Sequence, residues 1–600
     1  RLLPSLAAHD GTAFCACEER DGVIEARNCV TGGKMYFTCV GANFKCSTDA
    51  CLSRLSRGIC FGAKTPYPAV AFEIETQKER VGEFAIVTSE DEEALKGISL
   101  DKVLSGIEAT KKYFRSLNRV RIDSGDKLFD DFFNEWLCTQ IYSSRLFGRC
   151  GYYQAGGAIG ARDILQDALA IIPTDPERAK SIFLDVCAHQ YAEGDVMHWW
   201  HPPRTGVRTR ISDDKLFLPL FAARWVTVTG DKTLLDERAA YLCSPRLDGV
   251  AEARYETPKE CGEGTVREHC ERAIEHALAR KGEHGLLKIG CGDWNDALNA
   301  IGTMGRGESV WLTMFAVRVL RDWAAAVGYD KGQRYLKEAE KLADAASKTF
   351  DGEKFARAFT DDGAWLGTGD GHCALDLICQ AWAQIARIGD EKTRRRALDS
   401  AAKLYDEKFG FVKLFDPPFD LPDRVGYIGA YPEGVRENGG QYTHAAVWYL
   451  LALFDSGRED EARRLLRDIC PSTAAEKYGD IRGGEPYAVA ADVYSAEGRR
   501  GESGWTWYTG SAGWLYTVIV ERAIGITMTH GLVRIGCPKG FDAQKLKVTL
   551  SFDGTTYEIS YRKGDGDYIR AGGLNYLNCT EFRPCGGKGK VEIERVYSQD

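Results

Sequence analysis

Six hundred residues exceed one ordinary domain and leave room for a large core with smaller modules attached. A formal net charge of −9, with 28% charged and 44% hydrophobic residues, describes a globular chain and argues against a nucleic-acid partner, which would want a basic stripe. No apolar run reaches the roughly 18 residues of a membrane span, so no membrane segment is expected in this chain. Arg1-Leu2-Leu3-Pro4 opens without Met and without a leader's apolar stretch. The expectation is a cytoplasmic protein whose chain is the downstream part of a longer product.

Residues 1–90 read as β-rich. Runs such as Lys34-Met35-Tyr36-Phe37-Thr38-Cys39-Val40 and Ala69-Val70-Ala71-Phe72-Glu73-Ile74 are separated by Gly, Asn and Asp turns. Seven of the twenty cysteines lie in the first sixty residues, with no CxxC pair among them, so a metal site has little support there. Others, Cys187, Cys243, Cys379 and Cys470, sit inside helix-like segments as small hydrophobes do. Reduced structural thiols are expected. Leu95, Ile98, Leu100, Val103 and Ile107 then fall at helical spacing and predict a linker helix within 91–124.

From 125 to 527 the periodicity predicts helix after helix, over 175–192, 215–230, 266–281, 308–327, 333–349, 374–388, 393–406, 442–456, 459–470 and 511–526. The loops between them alternate short and long, and the long ones hold the Trp, Gly, His and acidic residues. Helical hairpins with such loops gathered at one end predict a mainly α fold, an α/α toroid. After 528 the period returns to two. Leu546–Phe552, a turn at Asp553-Gly554 and Thr556–Tyr561 form a hairpin signature in a small C-terminal β domain.

Five loops carry the chemistry. In the first, Arg149 to Asp167, glycines let the backbone approach a ligand, and Arg162-Asp163 can each bond a sugar hydroxyl or stand in structural ion pairs. The second, Glu193 to Asp214, is dense in Trp, His and charge, and is expected to line the site. The third is Asp293-Trp294-Asn295-Asp296: an apolar face to stack a sugar ring, an amide and two carboxylates. Its plainer reading is a surface loop in which Asp293 caps the next helix. The fourth, Pro432 to His444, places Glu437 and His444 on a glycine-loosened loop. In the fifth, Thr509, Gly510 and Ser511 directly precede a helix, where a hydroxyl and free N–H groups make an anion pocket or simply an N-cap.

Taken together, these loops resemble glycoside hydrolase family 94, the inverting β-glucoside phosphorylases. Gln154 through Asp167, Asp293–Asp296, Glu437-Asn438-Gly439-Gly440 to His444, and Tyr508-Thr509-Gly510-Ser511 occur in that family's order across residues 90–600. The Glu193–Asp214 stretch looks most like the phosphorylase-like domain of cyclic β-1,2-glucan synthases. The resemblance implies an (α/α)6 barrel over 125–527, flanked by a partial N-terminal β-sandwich, 1–90, and the C-terminal β domain, 528–600. It implies Asp296 as the general acid and Trp294 as the aromatic beside the donor sugar. Arg162 and Asp163 would grip the glucosyl unit, with Gln154 also in the sugar site and Asp293 a structural or hydroxyl-binding partner there. Arg436 and Glu437 would form the acceptor loop. His444, Thr509, Gly510 and Arg149 would hold phosphate.

The implied reaction is reversible phosphorolysis of a β-linked gluco-oligosaccharide to α-glucose 1-phosphate, with no metal or organic cofactor, by a homodimer. An inverting hydrolase needs a second carboxyl as base, whereas a phosphorylase needs only the acid because phosphate is the nucleophile. Two other readings stay open: an inverting hydrolase with Glu437 activating water, and a catalytically silent glycan-binding or chain-length-controlling module of a larger synthase. Ala161 stands where the family usually has an aromatic.

Overall fold

The computed structural model describes residues 15–28, 33–49, 68–74, 82–151, 157–247, 253–420, 425–552, 554–587 and 589–598. Their contacts cluster into two units, Arg1–Ser116 and Leu117–Asp600. In the first unit, strands Cys15–Arg20, Val23–Asn28, Lys34–Val40 and Ala85–Ser89 form an antiparallel sheet in that order. A second strand pair, Phe44–Asp49 with Pro68–Ile74, packs against it around Ile24, Ala26, Phe37 and Val70. The linker helix is α1 (Leu100–Leu117), and it buries none of its residues.

The second unit is built on helical pairs. The inner members are α2 (Ala161–Ile171), α4 (Phe217–Thr229), α6 (Val310–Val327), α8 (Leu377–Ile385), α10 (Thr443–Asp455) and α12 (Ser511–Val518). Each packs on the next, and α12 returns to α2, so the inner helices close a ring. Five outer partners come after their inner helices, α5 only after three intervening strands: α3 (Pro176–Cys187), α5 (Val266–Leu278), α7 (Tyr329–Ser347), α9 (Glu391–Ala401) and α11 (Glu459–Ile469). An irregular helical stretch over 127–147 covers α2 and α12.

Composition separates the layers. Helices α4 and α10 are apolar all round and bury almost every side chain, as enclosed helices must. The outer α11 instead turns Ala462, Leu465, Leu466 and Ile469 inward; Glu459, Asp460 and Glu461 favour its positive N-terminus and Arg467 its last turn. Inside the ring, Trp311, Trp382 and Trp448 pack with ring centroids 5.2–5.9 Å apart.

Two expectations change. The β segment after the ring is not a separate unit. Its sheet ends on Val120–Asp123, which precedes the ring and pairs antiparallel with Lys547–Leu550; this stretch was expected to belong to the linker. The hairpin Lys547–Phe552 with Thr555–Lys563 forms as expected. Cys243 is not a buried helical thiol. It lies on strand Arg238–Cys243, whose pairing with Lys259–Thr265 brings Cys243 and Cys261 to a Cα separation of 5.7 Å, and the two form a disulfide.

Candidate active site

The ring helices present their N-termini to one another, and side chains there interlock across all six. Short strands set their entries: Ile159–Gly160 leads into α2, Glu308–Ser309 into α6, Leu375–Asp376 into α8 and Gln441–Tyr442 into α10. Ser309 and Asp376 cap two of these N-termini, and the dipoles and remaining free N–H groups favour anionic ligands there.

Asp293 and Asp296 divide sharply. Asp293 is fully buried. Arg357 donates Nη2 to its Oδ1 and Nη1 to its Oδ2, both at 2.7 Å; Ser309 Oγ donates at 2.6 Å and the Asn295 amide at 3.0 Å. Burial alone would raise its pKa, but Arg357, Ser309 and the Asn295 amide hold it below the ordinary carboxylate value. With every strong acceptor direction used, the contacts of Asp293 fit the structural alternative better than the hydroxyl-binding one, and it does not cap the next helix. It braces the loop against Arg357, and Ser309 is the residue that caps α6.

Asp296 remains about one-third exposed. Its two oxygens accept from Arg162 Nη2 at 3.1 and 3.2 Å, and Oδ2 also lies 3.7 Å from His198 Nε2. Burial raises its pKa above the usual carboxylate value, with Arg162 and His198 opposing. Arg162 is itself committed: Nη1 donates to both oxygens of Asp213 and to the Asp293 carbonyl, all at 3.2 Å. The ion-pair reading of this arginine therefore describes its contacts better than a free sugar-gripping role does. Asp213 is buried among Asp214, Asp293 and Asp296; burial pushes its pKa up to about 7 even though Arg162 opposes.

Asp163 behaves oppositely to Arg162. Its side chain is 43% exposed, with Arg145 3.8 Å away. Burial tends to raise its pKa, but Arg145, Arg162, Arg149 and His198 overcome that and hold it at about 2, leaving an ionised acceptor open to a ligand. Gly160, three residues earlier, leaves room for it, since a Cβ there would meet Asp163 Oδ2 at 2.6 Å and the carboxylate would have to shift.

Trp294 is buried edge-on to Tyr442 and His444, with centroids 5.4 and 5.3 Å away, and so ties the acid loop to α10. Around His444 the predicted phosphate residues gather. A Cβ added at Gly510 would stand 3.5 Å from both Arg145 Nη2 and His444 Cε1. Thr509 Oγ1 lies 2.6 Å from Ser511 Oγ and accepts from the Ser511 amide. Buried His444 Nε2 and Arg145 Nη2 have no hydrogen-bond partner. Burial, partly offset by Asp163 and reinforced by Arg162 and Arg145, depresses His444 to about 3.

Arg149 is less available than expected. It donates to the carbonyls of Ala158 and Arg145 and to the Tyr508 hydroxyl, while Arg145, anchored to Asp167 at 2.9 Å, keeps a nitrogen unbonded beside Gly510. On the far side, Glu437 pairs with Arg436 at 3.3 Å, and Arg436 stacks over Trp505 at 4.4 Å. Burial raises the Glu437 pKa, and Asp296 adds to the rise against Arg436. Gln154 lies outside the described residues.

Arg145, His198, Asp213, Asp214 and Arg357 were not singled out in the sequence as site residues. His198 and the Asp213-Asp214 pair stood in the loop expected to line the site. Arg357 has no local signal at all.

Among the described residues no group of three or more His, Cys, Asp or Glu is placed to hold a metal ion, and no helix is long and apolar enough to cross a membrane. Comparison with known proteins now gives these residues a context. The chain is 39% identical over 481 residues to the cyclic β-(1,2)-glucan synthase NdvB of Rhizobium meliloti (strain 1021), covering 78% of this chain but 17% of that protein. It is 28% identical over 419 residues to solabiose phosphorylase of Paenibacillus borealis, covering 68% of this chain and 52% of that one. Its fold is similar to the GH78 family rhamnosidase of Bacillus sp. GL1, with a TM-score of 0.51 at 12% identity over 98% of this chain and 56% of that chain. The model of the glycosyl hydrolase 94 superfamily catalytic domain, which implies an (α/α)6 barrel consistent with the closed ring, matches residues 113–525. The chain belongs to the glycosyl hydrolase 94 superfamily and carries its catalytic domain.

Proposed function

We propose that this site carries out inverting phosphorolysis of a β-linked gluco-oligosaccharide. Asp296 is the general acid, and inorganic phosphate is the nucleophile and the only co-substrate. The observation that carries the reading is the pocket at Gly510, where buried His444 Nε2 and Arg145 Nη2 have no hydrogen-bond partners beside the Thr509–Ser511 helix entry. Unsatisfied buried donors cost about 1–3 kcal/mol each, so a group that satisfies them is expected. A tetrahedral oxyanion supplies acceptors for a guanidinium, an imidazole N–H and helix-terminal amides at once.

The chemistry follows the pKa pattern. A general acid must hold its proton near neutral pH, and burial moves Asp296 in that direction. Asp163 stays ionised and exposed, as suits a hydroxyl acceptor on the glucosyl unit. Arg436 and Glu437 bound the acceptor side. The reading includes a homodimer and no metal or organic cofactor.

A second reading, an inverting hydrolase, rests on Glu437, whose buried Oε2 lacks a hydrogen-bond partner and could activate water. The test is turnover of β-1,2-, β-1,3- and β-1,4-gluco-oligosaccharides with and without phosphate. Phosphorolysis predicts α-glucose 1-phosphate formed only when phosphate is present. Glucose release at an equal rate without phosphate would overturn it in favour of the hydrolase. Glycan binding with neither product would favour the non-catalytic module.

A further inference from the structure

Asp296 lies in a contradictory environment. Arg162 holds both its oxygens from one nitrogen, an arrangement that favours the carboxylate, yet a general acid must start each turnover protonated. A proton donor is needed within reach of the same carboxyl. His198, on strand Met197–His201, is placed for this: its Nδ1 is 2.8 Å from Asp214 Oδ2, and its Nε2 is 3.7 Å from Asp296 Oδ2. Asp214, at the entry to α4, is buried and fixes both the ring plane and the proton on Nδ1, leaving Nε2 to face Asp296.

We propose that His198, braced by Asp214, relays the proton that recharges Asp296 after each turnover. The proposal rests on the phosphorolytic reading above. In that reaction the bond from C1 to the leaving sugar oxygen breaks, that oxygen takes the Asp296 proton, and a phosphate oxygen bonds to C1. Hydrogen phosphate brings in the one proton that balances the new hydroxyl, so turnover ends with Asp296 ionised and the proton elsewhere. In the reset, the Nε2–H bond of the His198 imidazolium breaks and an O–H bond forms at Asp296 Oδ2. The imidazole then takes a proton from the phosphate ester product or from solvent. In the synthetic direction every transfer reverses.

The surroundings support a charged imidazole. The charged groups facing His198 are Asp214 beside α4, Asp296 on its loop, and Arg162 and Asp163 on α2. Burial alone would depress its pKa; Asp214 and Asp296 outweigh burial and Arg162 and bring it to about 9. In the free site the proton of this pair therefore rests on His198, whose charge opposes protonation of Asp296, so transfer to Oδ2 waits on the binding of substrate and phosphate. The gap of 3.7 Å is slightly beyond a hydrogen bond, as catalytic contacts often are before substrate binds.

The test compares wild type and His198→Gln on two substrates: a β-gluco-oligosaccharide and 2,4-dinitrophenyl β-glucoside, whose leaving group needs no proton. With the oligosaccharide, His198→Gln is expected to lower kcat about 10- to 100-fold, to leave KM within about twofold, and to move the alkaline limb of the pH profile downward. Turnover of the aryl glucoside is expected to stay near wild type. An unchanged kcat and pH profile, or an equal loss on both substrates, would overturn the relay. Histidine-labelled 15N NMR of wild type and Asp296→Asn supplies a readout that needs no turnover. The His198 titration should move to lower pH in Asp296→Asn, and an unmoved titration would overturn the coupling. Wild type without phosphate-dependent turnover would count against the phosphorolytic reading alone, while the NMR comparison still decides whether the two groups share a proton.

Discussion

Asp293 and Asp296 lie three positions apart on one loop, each facing an arginine, yet one is a structural brace and the other is open to chemistry. The difference is in partners and exposure. Arg357 meets Asp293 with a nitrogen for each oxygen inside a site sealed by Ser309 and the Asn295 amide. Arg162 meets Asp296 with one shared nitrogen, spends the other on Asp213, and leaves Asp296 one-third exposed beside His198. The brace lowers its carboxylate's pKa, while burial among other acids raises that of Asp296. An arginine beside a carboxylate therefore does not define its role; the count of remaining acceptor positions does.

The largest expected effect breaks the brace. Asp293→Asn leaves the buried Arg357 guanidinium with only Asp376, 3.6 Å from its Nε, as counter-charge, and breaking a buried pair costs about 3–5 kcal/mol. Urea unfolding should show a loss of that size. A midpoint within error of wild type would remove the distinction between the two aspartates.

Next comes the phosphate side. Gly510→Ala places a methyl 3.5 Å from Arg145 Nη2 and His444 Cε1, an ordinary contact at a residue without positive φ, so the fold should hold. The methyl takes up space beside the unpartnered Arg145 Nη2 and the Cε1–Nδ1 edge of His444. The KM for phosphate should rise about tenfold or more, the effect of losing one or two charge-assisted hydrogen bonds. An unchanged phosphate KM would show that the anion binds elsewhere.

A smaller, pH-dependent effect follows from His444. Its folded pKa, about 3, lies below the unfolded value. The stability it contributes is complete above about pH 6.5 and is lost as the pH falls toward 3, because the unfolded state takes up the proton first. Over that window the wild-type unfolding free energy should fall more steeply than that of His444→Gln, by up to about 1.4 kcal/mol per pH unit. Parallel curves would show that His444 is charged in the folded site.

Much of this arrangement was legible in the sequence because it is local. The helical period located five of the six ring helices, while most of Ala161–Ile171 lies in what reads as the Arg149–Asp167 loop; glycine, tryptophan and acidic clusters marked the loops that meet at the helix N-termini. The period-two run at Lys547–Phe552 marked the C-terminal hairpin. What stayed hidden depends on contacts between distant segments. The four residues Val120–Asp123 are too few to announce a strand, and their partner lies more than four hundred positions away. Arg357 meets Asp293 across 64 positions, and Arg145 reaches Gly510 only because the ring closes α12 onto α2. The resemblance paired Arg162 with Asp163 as sugar ligands, but only Asp163 is open to the site; the arginine's head group turns the other way, into a nest of carboxylates.

The most direct measurement is kcat for phosphate-dependent release of α-glucose 1-phosphate by Asp296→Asn, with its unfolding midpoint recorded on the same preparation. Losing the general acid should lower kcat by about 10²–10⁴ while the midpoint stays at or above that of wild type, since Asp296 is one-third exposed and adds to a crowd of carboxylates. Retained turnover, or a fall in stability as large as that of Asp293→Asn, would contradict the division of roles between the two aspartates.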